Sequence, residues 1–307
     1  MPDLSKQQTF LNEIMKKLEF PTDAQENILN AFDKIAANNE ASACFLSLLE
    51  SYANKKELNA SLHLEPIKVL AKALNIHEYT ASMILLLCMG KQLLVRYKEK
   101  GLSEELWLHT LRDLKYKLSE CRLIHKIDGT CVAWWYPGFY NLERFALGRL
   151  QFEITHSGMD YSIGNRVIPK GSKQINIHIP TTGTRLDHDE VLNSYKLAAE
   201  MFKDEFEGKP IVFHCQSWLL SPWHKEILPE KSNIVEFFDD FKIVAYNNYN
   251  DYSHLLLLFG CEVNENADSL PNDSTLRRLY IERIKNKQPV SWGQGAFIYD
   301  NGKIIND

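Results

Sequence analysis

The sequence predicts an α+β protein, with an N-terminal all-helical domain over residues 1–126 and a mixed β-sheet domain flanked by helices over residues 127–307. Three observations carry this expectation. From Ser5 to about Cys121 the apolar residues recur at a period near 3.6, the mark of amphipathic helices packed on one another. Beyond His125, turn signals at Asp128-Gly129, Ser157-Gly158 and Asn301-Gly302 separate short runs rich in β-formers. Longer helical segments alternate with those runs, and a chain of 307 residues favours two domains over one.

In the first half, Phe10, Ile14 and Leu18 predict one helix, and Ile28, Phe32 and Ile35 a second. Thr22 and Gln25 make a capping-box pair behind Pro21, and Pro66 suits a first helical turn. A long helix is predicted to begin near His77 and to end at Gly101, where Ser103 caps the next. The last helix carries Trp107, Leu111, Leu114 and Leu118.

The second half predicts strands at Cys131 to Tyr136, Leu147 to Thr155, Tyr161 to Val167 and Gln174 to Pro180. A helix from Asp187 to Phe206 follows, opened by the capping pair Asp187 and Glu190. Then come a strand from Ile211 to Leu219, a helix opened by Asn233 and Glu236, and strands at Lys242 to Asn247 and Leu255 to Phe259. A helix at Thr275 to Lys285 and a hairpin at Phe297 to Ile305 complete the pattern.

Composition excludes several classes of function. With 45% hydrophobic and 24% charged residues the chain is globular rather than disordered. The residues up to His125 are charge-balanced, so the net charge of -5 falls on the rest; neither half has the basic excess that nucleic-acid binding requires. Six scattered cysteines form no C-x-x-C pair and read as reduced thiols, while no His, Cys, Asp or Glu group has metal-ligand spacing. The segment MPDLSKQQTF has no secretory pattern, and the apolar run Met83 to Met89 is shorter than the roughly 20 residues a membrane span needs. The expectation is a cytoplasmic protein that engages neither membrane nor nucleic acid and uses no metal.

Several predicted strands carry polar groups where a sheet covered on both faces would be apolar. Glu153 alternates with Phe152 and Ile154, and His178 with Ile177 and Ile179. Either the sheet is antiparallel with one wet face, or these groups converge on a cleft. The loop Pro180 to Leu186 joins a strand to a helix start, where backbone amides can hold an anion. Gly183 permits close backbone approach and Arg185 can pair with a phosphate, although Asp187, Asp189 and Glu190 crowd the same place.

The segment Phe145 to Glu153, then Ile177-His178-Ile179-Pro180, His214-Cys215-Gln216-Ser217-Trp218-Leu219-Leu220 and Ser232-Asn233-Ile234, together resemble the bacterial acyltransferase-domain proteins. These join an N-acyltransferase N-terminal helical domain to a GNAT-like C-terminal domain. The resemblance spans nearly the whole chain. It implies a GNAT-like core in which acyl-CoA or acetyl-CoA, as co-substrate, lies between two splayed strands. On that reading Ile177, Ile179, Thr181, Thr182, Gly183, Thr184 and Arg185 form the cofactor-binding segment, and the strand from Ile211 splays away. The loop departs from the usual GNAT pattern in having a single glycine and acidic residues after it.

The activity implied is acyl transfer from a CoA thioester to the amine of a small molecule or peptide. A protonated amine cannot attack, so a general base is needed. Glu153 is the first candidate, with a solvated or ion-paired carboxylate, for instance beside Arg149, as its structural alternative; His178 is the second, with a hydrogen-bonded structural role as its alternative. Amides near Ile179 would polarise the thioester carbonyl. Cys215 suggests a thiol-dependent hydrolase, but adjacent strand residues face opposite ways, so His214 cannot serve it. Trp134, Trp135 and Tyr136 either line an acceptor site or seal the domains together. A GNAT-like protein that binds a ligand or partner without catalysis is the alternative function.

Overall fold

The computed structural model describes residues 3–247, 252–264 and 266–306. The chain divides into two compact units, Met1–Phe145 and Ala146–Asp307. The division falls beyond the expected boundary near Lys126, because the segment after α7 turns back onto the helices. There the Thr130 amide donates to the Tyr79 carbonyl at 3.1 Å, and the Tyr136 hydroxyl donates to the Asp113 carboxylate at 3.0 Å.

The helices of the first unit are α1 (Ser5–Lys17), α2 (Thr22–Ala36), α3 (Asn39–Lys55), α4 (Glu65–Ala73), α5 (Glu78–Glu99), α6 (Glu104–Leu111), α7 (Asp113–His125) and α8 (Pro137–Tyr140). Asn38, His77 and Ser103 each cap a helix by accepting a backbone amide hydrogen with the side chain, removing one of the unpaired donors at each start. Pro66 sits in the first turn of α4 as expected. The capping box at Thr22 does not form: Pro21 occupies the cap position, and the Gln25 side chain donates to the Phe20 carbonyl at 2.7 Å. Cys131 to Tyr136 is not a strand either. Ala133–Trp135 forms a 3-10 turn leading into α8, because Tyr136 and Phe139 are buried among helices that offer no strand to pair with.

Helix α5 organises this unit. Its residues from Thr80 to Gly90 are buried without interruption, and α1, α2, α3, α4 and α6 all pack against it. By length and composition it is apolar enough to cross a membrane; a helix apolar on all sides is equally the centre of a bundle. The five surrounding helices cover that surface. The Trp107 indole donates to the Gly90 carbonyl at 3.0 Å, pairing a group whose burial alone would cost about 1–3 kcal/mol. At Gly129 a Cβ would lie 2.3 Å from the Tyr79 carbonyl carbon, so the turn after α7 approaches α5 through a position with no side chain.

The second unit is built on a mixed sheet. Its elements are β1 (Arg144–Leu147, straddling the division), β2 (Leu150–His156), β3 (Tyr161–Ile163), β4 (Arg166–Ile168), β5 (Lys173–His178), α9 (His188–Phe202), β6 (Ile211–Ser217), α10 (His224–Ile227), α11 (Asn233–Asp239), β7 (Lys242–Tyr246), α12 (Leu255–Phe259), α13 (Thr275–Lys285), β8 (Gly293–Asp300) and β9 (Lys303–Ile305). The strand order is β1-β2-β5-β6-β8-β7, with β9 on β8 and β3–β4 as a separate ribbon. β5 and β6 run parallel because α9 crosses between them; β2 on β5 and β6 on β8 are antiparallel. Leu255–Phe259, expected as a strand, is the short helix α12. Its ends, Leu255 and Phe259, are four residues apart and share one buried face against Tyr280 and Ile284.

One face of the sheet is apolar. Phe213 and Phe297 stack with centroids 5.0 Å apart, and Tyr195 of α9 packs on both. The hairpin β3–β4 covers part of the opposite face, where Tyr161, Ile163 and Ile168 meet Val212, Ala296 and Ile298.

His224 is fully buried beside Trp223 and Tyr280. Its Nε2 lies 3.0 Å from the Tyr280 hydroxyl and its Nδ1 3.3 Å from the Leu219 carbonyl, an arrangement suited to the neutral ring. Burial, helped by the nearby Arg283 charge, pushes it down to about 4. Below pH 6.5 the unfolded chain takes up a proton that the fold refuses, so stability falls as pH drops from 6.5 towards 4, by up to about 3 kcal/mol. Urea unfolding of His224→Gln across that range should show a flatter dependence on pH than the parent; an unchanged slope contradicts the assignment.

Candidate active site

The register of three strands brings the polar residues together. Glu153 on β2 lies opposite Asn176 on β5, which lies opposite His214 on β6. Gln151 and His178 form the next rung. Residues opposite one another share a face, so the alternations seen separately in each strand describe one polar surface. That surface lies on the side where the β3–β4 ribbon packs, as the Tyr161 hydroxyl shows by donating to Gln174 at 2.8 Å.

Within it, His178 Nε2 lies 2.7 Å from Glu153 Oε1, with side chains 21% and 17% exposed. Water therefore reaches the pair only in part. Asn176 Nδ2 is 3.1 Å from the same His178 nitrogen, and Asn176 Oδ1 is 3.2 Å from His214 Nδ1. A single ring nitrogen cannot both donate to a carboxylate and accept from an amide. With Glu153 ionised, His178 Nε2 carries the proton and the Asn176 amide turns its oxygen to His178 and its NH2 to His214. With Glu153 protonated, the opposite amide orientation fits. The Asn176 amide thus links the protonation of Glu153 to the tautomer of His214. Burial pushes His214 below the usual histidine range, opposed by a side-chain hydrogen bond to Gln294.

Both expected base candidates fall on this surface and touch each other. Asn176 and His214 complete the row although the sequence reading gave neither a role there. Arg149 reaches the Pro180 carbonyl at 3.1 Å, and the Arg149 amide donates to Ser194 Oγ of α9 at 2.7 Å. Together these contacts fix the strand end that leads into the loop.

Parallel pairing of β5 with β6 ends at Ile177 and Cys215, whereas β6 stays paired with β8 as far as Ser217 and Gly293. His178 and Ile179 therefore continue beyond the last β6 contact. Ile177 sits where the two strands separate, its side chain on the apolar face. In the loop, Thr182 Oγ1 lies 2.8 Å from Thr184 Oγ1 and accepts the Thr184 amide at 3.3 Å, while the Thr182 amide donates to Pro180. Gly183 has φ of +80°, and Thr181, Gly183, Thr184 and Arg185 are exposed. The amides of Gly183 and Arg185 have no acceptor among the described residues. The start of α9 is different: the Asp187 carboxylate accepts the amides of Asp189 and Glu190. The cap thus takes the Asp189 and Glu190 amides of the helix start, while the amides of Gly183 and Arg185 stay open in the loop before it.

Cys215 lies on the apolar face, opposite Ile177 and Gly295, and is 1% exposed. Burial pushes its thiol well up. The hydrolase reading fails on this geometry, because the polar row with His178 and His214 is on the other side of the sheet. Trp134, Trp135 and Tyr136 belong to the helical unit, where the Arg144 guanidinium lies 3.5 Å from the centre of the Trp135 ring. Among the described residues no group of three or more His, Cys, Asp or Glu side chains is placed to hold a metal.

The N-acyltransferase N-terminal domain matches residues 9–142, and the GNAT-like C-terminal domain matches residues 145–297. The chain belongs to the GNAT-like N-acyltransferases. No curated protein sequence matches this N-acyltransferase. Among solved structures it is similar to an acyltransferase in complex with decanoyl-CoA and teicoplanin, at 20% identity and a TM-score of 0.69 over 92% of this chain and 86% of that one. An acyltransferase in complex with CoA and 10C-teicoplanin matches with the same identity, score and coverage. One in complex with decanoyl-CoA matches at 19% identity and a TM-score of 0.68, over 94% of this chain and 86% of that one. These likenesses establish the fold that the two family matches identify.

If Cys215 is structural, the native protein should lose thiol titre to iodoacetamide at the exposed Cys44 and Cys261 while Cys215 stays unmodified until the chain unfolds. Peptide mass spectrometry reads the difference. Alkylation of Cys215 at a rate matching Cys44 in the native state contradicts it.

Proposed function

We propose that the C-terminal unit transfers an acyl group from acyl-CoA or acetyl-CoA to the amine of a small molecule or peptide, with the thioester lying where β5 and β6 part. The observation that carries this reading is the Glu153–His178 contact of 2.7 Å, one rung beyond the last β5–β6 pair. Support for the co-substrate comes from the neighbouring structures, which hold CoA or decanoyl-CoA. A small-molecule or peptide acceptor is in keeping with the teicoplanin held by one of them and the 10C-teicoplanin held by another.

The thioester supplies an activated carbonyl and a thiolate leaving group. This chain's residues do the rest. The Glu153–His178 pair takes the amine's proton, directly or through one water, so that the nitrogen lone pair can form the new C–N bond. The half-buried setting strengthens that interaction relative to open water. The Ile179 backbone lies just past the strand separation, where an amide can stabilise charge on the carbonyl oxygen. Thr181, Thr182, Gly183, Thr184 and Arg185 take the diphosphate, through loop amides and one guanidinium.

A second reading, ligand or partner binding without transfer, is favoured by the capped α9 start: Asp187, Asp189 and Glu190 stand beside the loop and repel an anion. Two measurements separate the readings. CoA or acetyl-CoA should raise the melting temperature of the full chain, corresponding to about 2.7 kcal/mol at roughly 100 times Kd, and Arg185→Ala should weaken that shift. Glu153→Gln and His178→Ala should each lower acyl transfer to an amine panel by about 10²–10⁴-fold while leaving the CoA shift intact. A thermal shift with no acylation by the parent supports the second reading. The absence of any shift overturns the CoA site itself.

A further inference from the structure

A buried carboxylate outside the polar row holds the start of α9. Asp240 follows α11 and is 7% exposed. Its Oδ1 lies 3.0 Å from His188 Nε2, and its Oδ2 accepts the Tyr195 hydroxyl at 3.1 Å. His188 is the first residue of α9, and Tyr195 stands seven residues further on, two turns along the same face. One carboxylate therefore grips the helix at two points, and a slide of α9 by a single residue would break both contacts.

The grip is firm at its other end. Asn306 donates its side-chain amide to the Asp240 carbonyl at 3.0 Å. The ring of Phe241, next in the chain, packs on Phe297 with centroids 5.1 Å apart, and Tyr195 packs on that same ring at 4.8 Å. Burial pushes the Tyr195 hydroxyl well up, so it stays protonated and continues to donate. At the start of β2, Ser194 Oγ takes the Arg149 amide and donates in turn to the Glu190 carbonyl at 2.7 Å.

These contacts reach the loop before the helix. His188 directly follows the cap residue Asp187, whose amide donates to the Arg185 carbonyl at 3.1 Å, while Arg149 holds the Pro180 carbonyl at the other end. Both ends of the loop are thus fixed, and the amides of Gly183 and Arg185 lie between them. A loop held in shape before its ligand arrives loses less conformational freedom on binding. We propose that Asp240 is a positioning residue for the diphosphate loop, acting through His188 and Tyr195 on the start of α9, a role that rests on the acyl-CoA reading of that loop. A carboxylate that served packing alone would leave CoA affinity indifferent to the His188 contact.

The test uses the full chain, calorimetric titration with CoA, and hydrogen exchange read by peptide mass spectrometry. Asp240→Ala removes both contacts, and His188→Ala removes one at the partly exposed end. Each should raise the Kd for CoA about tenfold and speed exchange in peptides covering residues 181–187, with β2, β5 and β6 unchanged. His188→Gln, whose side-chain amide can carry a donor to the same oxygen, should return both readings towards the parent. Because loss of a buried carboxylate can cost the fold, the two His188 variants decide. Unchanged CoA affinity or loop exchange in His188→Ala, exchange that rises across the whole sheet, or no recovery in His188→Gln each overturns the proposal. A parent that binds no CoA overturns the acyl-CoA reading itself, whereas the loop exchange of His188→Ala judges the clamp alone.

Discussion

The C-terminal unit depends on unequal pairing along β6. This strand has a parallel neighbour that leaves it at Cys215 and an antiparallel neighbour that stays with it to Ser217. Backbone groups normally satisfy one another along a sheet, and where a ladder ends early they must find another partner. The early ending creates a gap inside an otherwise continuous sheet. It sits at the carboxyl end of β5, where the chain passes into the loop and α9. Without α9 as the crossover the two strands could not run parallel, and without that direction both strand ends would not open together.

Side-chain alternation gives the same sheet two characters. Its apolar face binds α9 through Tyr195, Phe213 and Phe297 and fixes the register. Register in turn decides that Glu153, Asn176 and His214 stand in line, since a slip of one residue would send each side chain to the other face. The hydrophobic packing behind the sheet therefore positions the proton-handling groups in front of it. The Asn176 amide, between two imidazoles, makes the row one hydrogen-bonded unit.

Much of this was legible in the sequence, for identifiable reasons. Thr275–Lys285 is a helix with the expected limits, and β2 and β5 fall where alternation placed them. Glu153 and His178 were found because each is a polar residue on a strand flanked by isoleucine or phenylalanine. Their contact was not legible, because pairing between strands about 20 residues apart is set by tertiary packing. Asn176 carried a usable signal, standing two residues before His178 and so on its face. Two of the errors share a cause: Cys131 to Tyr136 and Leu255 to Phe259 are short runs of residues that favour strands, and periodicity cannot separate a buried turn of helix from a buried strand over five or six positions; elsewhere the single strand expected at Tyr161 to Val167 is the hairpin β3–β4, and the last helix of the first half is broken into α6 and α7. In the two short runs, neighbouring helices decided the outcome. The boundary shifted for the same reason, since the turn signal at Asp128-Gly129 marks a reversal within the helical unit.

Gly129 gives that reversal a wider meaning. Any larger residue there would collide with the Tyr79 backbone and lift the returning strand of chain away from the bundle. Thr130, one position on, would then lose the backbone hydrogen bond from its amide to the Tyr79 carbonyl. The seating of the returning chain on its bundle is thus decided by the one missing side chain that lets two backbones touch, and a single added methyl group there would pry them apart.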